Sequence, residues 1–142
     1  MKTNLLASGI FAASTLIAVG AFAHSGATGI VKERMDGMMA MGKALGSVAD
    51  MFKGKTSFDA ATVAASAKIV GNHAEKMASL FPGTKASREG SGTEALPAIW
   101  DDQAKFSKLI VALEKKYVEL ASIAATQDQA QVRRTFSNAG GI

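Results

Sequence analysis

Between Val31 and Phe52, the positions Val31, Arg34, Met38, Met41, Leu45, Val48 and Phe52 recur at alternating intervals of three and four residues. That interval marks one face of an α-helix, whereas a half-buried strand alternates every second residue. The spacing predicts a helix from about Gly29 to Lys53, with Thr28 as N-cap and Gly54 as its left-handed stop. A second helix is expected after Asp59 as N-cap, running to Leu80 and burying Val63, Ala67, Val70, Ala74 and Met77. Phe81-Pro82-Gly83 ends it. The stretch from Gly83 to Leu96 carries Gly83, Gly90, Gly92, Ser87 and Ser91 without periodicity, and reads as a long loop crossing between helices. Pro97 suits the first turn of a third helix. That helix reaches about Ala125, with Phe106, Leu109, Leu113, Leu120 and Ile123 inward and Asp101 and Asp102 near its positive end.

Thr126-Gln127-Asp128-Gln129 has the form of a capping box and starts a fourth helix, with Ala130, Arg133 or Arg134, and Phe136 as a weak inward stripe. No β pattern, internal repeat or low-complexity tract competes with this reading. The fold expected is all-α, an antiparallel up-and-down four-helix bundle whose fourth helix is truncated where the sequence stops at Gly140-Gly141-Ile142.

Composition agrees with one small domain. The 142 residues are 48% hydrophobic and 20% charged with a net charge of +4, too apolar and too balanced for a disordered chain. No cysteine is present, which excludes disulfide scaffolds, Cys metal knuckles, thiol catalysis and a lipoprotein anchor. Met1 to Asn4 carries one Lys, Leu5 to Val19 is an apolar run, and Ala21-Phe22-Ala23 has the small-x-small form of a cleavage site. Residues 1–23 therefore read as a secretory signal peptide and 24–142 as the exported domain, with the periplasm as destination and no membrane attachment after cleavage. An uncleaved anchor is the competing reading of Leu5 to Ala23.

Five of the seven Met, namely Met35, Met38, Met39, Met41 and Met51, fall on the first helix. Met is usually flexible core filler, although its thioether also suits a soft metal. Arg34 is the odd member of the apolar seam, since a core-facing guanidinium needs a carboxylate or another anion, or else a place at the rim. His73, between Val70 and Met77, reads as a core histidine before it reads as a ligand. His24 would become the N-terminal residue after cleavage, where the amine and imidazole together can chelate copper. No nucleophile-base-acid set, H-E-x-x-H, G-x-S-x-G or phosphate loop is visible. Trp100, Tyr117 and Phe106 lack an aromatic-basic stripe, which argues against nucleic acid.

The run Val31-Lys32-Glu33-Arg34-Met35-Asp36-Gly37-Met38-Met39-Ala40-Met41-Gly42 resembles the first helix of the cytochrome c′ family, where an Arg is followed four residues later by a haem-facing residue. Leu80-Phe81-Pro82-Gly83-Thr84 is similar to that family's helix end, and Glu94-Ala95-Leu96-Pro97-Ala98-Ile99-Trp100 to its approach to the third helix. The leader followed by His24-Ser25-Gly26-Ala27-Thr28-Gly29 is similar to low-spin members. The resemblance implies an antiparallel four-helix bundle, usually a homodimer, exported to the periplasm, with a c-type haem and redox proteins as partners. It also implies an electron carrier rather than a catalyst, with Arg34 beside the haem propionates and Met38 as the axial sulfur on the iron. The family's CxxCH, which supplies both thioethers and the proximal His, is absent from these residues, so covalent attachment cannot be made by them. Phe136 to Ile142 looks like the stretch that precedes the first Cys in relatives, and the chain is read as stopping short of that motif. Two alternatives stand beside this reading: a haem-free bundle binding copper or a protein partner through His24 and the Met cluster, and an inactive truncated product. Marginal stability or a collapsed cleft is expected where haem would sit.

Overall fold

The computed structural model describes residues 26–140, so the expected signal peptide, His24 and the last two residues lie outside the described part of the chain. Among the described residues all regular structure is helical: α1 (Gly29–Phe52), α2 (Ala60–Leu80), α3 (Lys85–Glu89), α4 (Ala98–Asp101), α5 (Gln103–Ala124) and α6 (Gln129–Ala139). The four longer helices α1, α2, α5 and α6 form the antiparallel up-and-down bundle. α1 packs on α2, α2 on α5, and α5 on α6. Phe52 at the end of α1 meets Phe136 of α6 with ring centroids 5.6 Å apart, which links the last helix to the first.

Local chemistry sets the helix boundaries. Asp59 caps α2 by accepting from the backbone N–H groups of Ala61 and Thr62. Gly54 stops α1 at φ +74, a left-handed conformation that a side chain would resist. Thr28 occupies the N-cap of α1 as expected, but its side chain makes no capping bond. The fourth helix starts differently from the capping-box reading. Asp128, not Thr126, is its N-cap and accepts from the Gln131 N–H at 3.0 Å. Thr126 instead turns its hydroxyl back to the Ile123 carbonyl, and Gln127 takes φ +59 in the corner.

Val48, Val63, Ala67, Val70, Leu120, Ala124 and Val132 are buried in one cluster. Each fully buried aliphatic side chain of Val or Leu size stabilises the fold by about 1.5–3 kcal/mol. Two inward stripes differ from those expected. On α5 the core runs through Ile110, Tyr117, Leu120 and Ala124 with Leu113 partly buried, while Leu109 is 43% exposed. Leu113 and Leu120 are common to both, but the 110, 113, 117, 120, 124 series keeps the three-four interval with apolar residues throughout, whereas the series through Leu109 and Ile123 passes through Lys116. On α6 the inward residues are Val132, Phe136 and Ala139, whereas Ala130, Arg133 and Arg134 face solvent. The series 132, 136, 139 keeps the helical interval without burying a guanidinium.

The expected loop from Gly83 to Leu96 holds a turn of helix. Thr84 caps α3 through an oxygen that accepts from the Ser87 N–H, and Ser87 is wholly buried. The expected third helix is also broken. Asp102 has φ −129 and ψ 68, ends α4, and caps α5 by accepting from the Lys105 N–H. An Asp side chain that satisfies a free N–H of the following helix is a strong local signal for starting a new helix.

Candidate functional site

α1, the end of α2 and the segment that follows α3 enclose a cleft at one end of the bundle. Its volume is about 440 Å³, and its walls are Val31, Arg34, Met35, Met38, Phe81 and Ala95, among others. That size is within the range of small-molecule and cofactor sites, and a mainly apolar wall with a few polar groups is their usual make-up. The cleft is open, so the expectation that it would be collapsed is not met. α6 contributes no residue to its walls. Its 11 residues span about 16 Å, against about 33 Å for the 22 residues of α5. The last turn of α6 ends beside the middle of α5, where Lys116 Nζ donates to the Asn138 carbonyl at 2.8 Å.

An aromatic shelf floors this end of the bundle. Phe81 meets Phe106 edge-on with centroids 5.1 Å apart and lies 6.2 Å from Trp100. Trp100 is held in turn by its indole N–H, which lies within bonding distance of the carbonyls of Phe81 and Pro82 at 3.0 and 3.1 Å. These bonds fix the chain just after α2 and so fix the Phe81 ring.

Arg34 is the cation of the cleft. Its side chain is only 6% exposed, and its Nη2 donates to the Ser87 carbonyl at 2.6 Å. Nε donates to Ile30 at 3.4 Å, and the guanidinium lies 4.6 Å from the Phe81 ring centroid. The carboxylate expected beside it is not there: the ion pairs found among the described residues join Lys32 to Asp36 and Lys55 to Asp50. Nη1 of Arg34 is buried without a hydrogen-bond partner, as is the Ser87 hydroxyl. Desolvation by burial lowers the pKa of this guanidinium from its ordinary value. A buried cation with one free N–H group facing no protein acceptor is matched to an anionic group from outside the chain.

Met38 departs from the core position expected of it. It is 56% exposed and lines the cleft, as does the 49% exposed Met39. The place facing α2 is taken by Gly37, where a Cβ would come within 3.1 Å of His73 Nδ1. Because residue 37 has no side chain, the His73 ring approaches the α1 backbone there, and the contact line passes beside Met38 instead of through it. Met41 and Met51 are buried filler, as the usual role of Met suggests. His73 is half-buried against Gly37.

Arg34 and Met38, the two residues singled out from sequence, thus line one cleft. Phe81, Ser87 and Gly90 complete its frame and were missed as site residues, since the sequence marks them only as a helix stop and loop. Gly90 is needed for the close approach of α3 to α1: a Cβ there would lie 2.4 Å from the Ala86 carbonyl oxygen and 2.8 Å from Val31 Cγ2. Among the described residues no helix is long and apolar enough to cross a membrane. No group of three or more His, Cys, Asp or Glu is placed to hold a metal there either.

The family model described as Cytochrome C′ matches residues 29–141. A cytochrome c′ of Rhodopseudomonas palustris is 32% identical over 127 residues, covering 89% of this chain and 82% of that protein. A cytochrome c-556 of Agrobacterium tumefaciens is 40% identical over 83 residues, covering 54% of this chain and 64% of that one. The solved cytochrome c prime of Shewanella frigidimarina superposes with a TM-score of 0.70 at 30% identity, over 78% of this chain and 84% of the other. Sequence and backbone agree along most of the bundle, and the chain belongs to the cytochrome c′ family.

Proposed function

We propose that this chain is a haem-binding electron-transfer protein of the periplasm, an electron carrier rather than a catalyst, and that the cleft beside α1 holds the haem. The observation that carries the reading is the pairing, in one apolar cleft, of an exposed thioether at Met38 with a buried guanidinium at Arg34 whose Nη1 lacks a partner. A flat apolar group bearing carboxylates and a metal that accepts sulfur fits that donor set.

Each residue has a part that follows from its chemistry. Arg34 would neutralise a propionate with its free N–H while the Ser87 carbonyl and the Phe81 ring keep its fork in place. Met38 would offer its sulfur to the iron as a neutral ligand. Val31, Met35 and Phe81 would exclude water from one face. Haem iron, when bound, supplies a one-electron couple whose potential depends on axial ligand and burial. The 142 residues contain no cysteine, so these residues would hold the group by packing, ion pairing and the thioether alone. Redox proteins are the partners that follow from this role, and a homodimer is the assembly suggested by the family resemblance.

The test is a visible spectrum of the protein isolated from the periplasm, with the intact mass of the same sample. A Soret band is expected, with Met38→Ala converting a low-spin spectrum into a high-spin one. A colourless sample would reject haem binding. An unchanged spectrum in the variant would reject Met38 as the axial ligand.

A further inference from the structure

The methionines of α1 fall into two groups by exposure. Met41 and Met51 are 6% and 8% exposed and belong to the core, whereas Met38 and Met39 are 56% and 49% exposed and stand next to each other on the wall of the cleft. Leu would give α1 the same helix propensity and nearly the same volume at positions 38 and 39. What a thioether adds there is a sulfur lone pair that an oxidant can reach from solvent.

We propose that Met38 and Met39 form a reversible oxidation site, open to hydrogen peroxide, whose oxidation closes the cleft to apolar ligands. In the reaction the sulfur lone pair attacks one peroxide oxygen, the O–O bond breaks, an S–O bond forms and the second oxygen leaves as water. The thioether gives up two electrons and the peroxide takes them. A dithiol reductase reverses the change: the sulfoxide oxygen leaves as water while the dithiol closes to a disulfide. Oxidation turns a flexible apolar side chain into a polar one, on a wall otherwise built from Val31, Met35, Phe81 and Ala95. A ligand packed on these residues would shut the new sulfoxide oxygens away from water, and burial of a polar group without a partner weakens binding. The bundle itself is spared, because the thioethers of its core, Met41 and Met51, are shielded. The inference uses the cleft and does not rest on the haem reading, in which Met39 has no part.

The experiment treats the recombinant chain, made without added haem, with graded hydrogen peroxide and maps the products by peptide mass spectrometry. Binding of anilinonaphthalene sulfonate is followed on the same samples, since its rings suit the apolar wall and its sulfonate suits Arg34. We expect Met38 and Met39 to gain oxygen about tenfold faster than Met41 and Met51, and dye affinity to fall about tenfold as they do. A methionine sulfoxide reductase should restore the affinity, and the circular dichroism melt should stay that of the untreated chain. The double variant Met38→Leu/Met39→Leu keeps an apolar wall and should bind the dye equally before and after peroxide. Oxidation of the core and cleft methionines at similar rates, full oxidation of Met38 and Met39 with dye affinity unchanged, an equal fall of affinity in the leucine variant, or no dye uptake by the untreated chain would each overturn the proposal.

Discussion

Nη2 of Arg34 donates to the carbonyl oxygen of Ser87 across 53 residues of chain, at 2.6 Å. This contact ties α3 to α1 and holds one wall of the cleft against the other. A hydrogen bond from a charged donor contributes about 1.5–3 kcal/mol. Arg34→Ala is expected to lose an amount in that range, measured by urea denaturation. Arg34→Lys should recover only part of it, because an ammonium cannot reach Ser87 and lie flat on Phe81 at once.

Gly90→Ala should be costly although its backbone, at φ −62 and ψ 147, suits any residue. The obstacle is space, with Ala86 backbone and Val31 in the way. Overpacking of this kind costs about 1–3 kcal/mol. The Ser87 amide should gain hydrogen exchange in the variant; a melt and an exchange profile equal to wild type would show that α3 does not lean on α1 as described.

Met38 and Met41 should respond in opposite ways to truncation. Met38→Ala removes an exposed side chain and should change stability by less than about 0.5 kcal/mol. Met41→Ala hollows the interface with α2 and should cost about 2–5 kcal/mol. Chemical denaturation of the two variants separates a side chain facing a ligand from one facing the core.

Stability should fall at both extremes of pH for identifiable reasons. The Asp59 carboxyl is held below its ordinary range by the Thr62 hydroxyl and then by the Thr62 and Ala61 N–H groups. Its contribution is present above the ordinary carboxylate range and is lost as pH falls through the lowered value. Asp59→Ala should therefore lower Tm at neutral pH and flatten the acid limb. Burial raises the pKa of Tyr117, so the folded state keeps a proton that the unfolded chain releases above about pH 10. Tyr117→Phe should melt like wild type at pH 7 and lose less stability as pH climbs past that point.

Periodicity made most of the bundle legible. Val31, Val48, Val63, Val70 and Leu120 were placed correctly because their neighbours at three and four residues are also apolar. The same rule misplaced Met38 and Leu109, where two adjacent apolar residues could each complete the stripe and packing chose the other. Gly37 decided the first case, through a close approach of His73 that no hydrophobic pattern records. Arg34 and Met38 were singled out as a pair by family resemblance and line one cleft, while Ser87 and Phe81, which touch Arg34, were not singled out. Ser87 meets Arg34 only after the chain has folded back, and a partner that is a backbone carbonyl leaves no mark on residue identity.

The 53-residue span closed by Arg34 and Ser87 also sets the order in which the molecule can come apart. Its α2–α5 interface is built on buried Val63, Ala67, Val70, Tyr117, Leu120 and Ala124, whereas α3 is held to α1 by one long-range hydrogen bond and the tight seat of Gly90. Segments secured by so few contacts open at free energies well below global unfolding. The amides between Thr84 and Ala95 are therefore expected to exchange their hydrogens before those of the core.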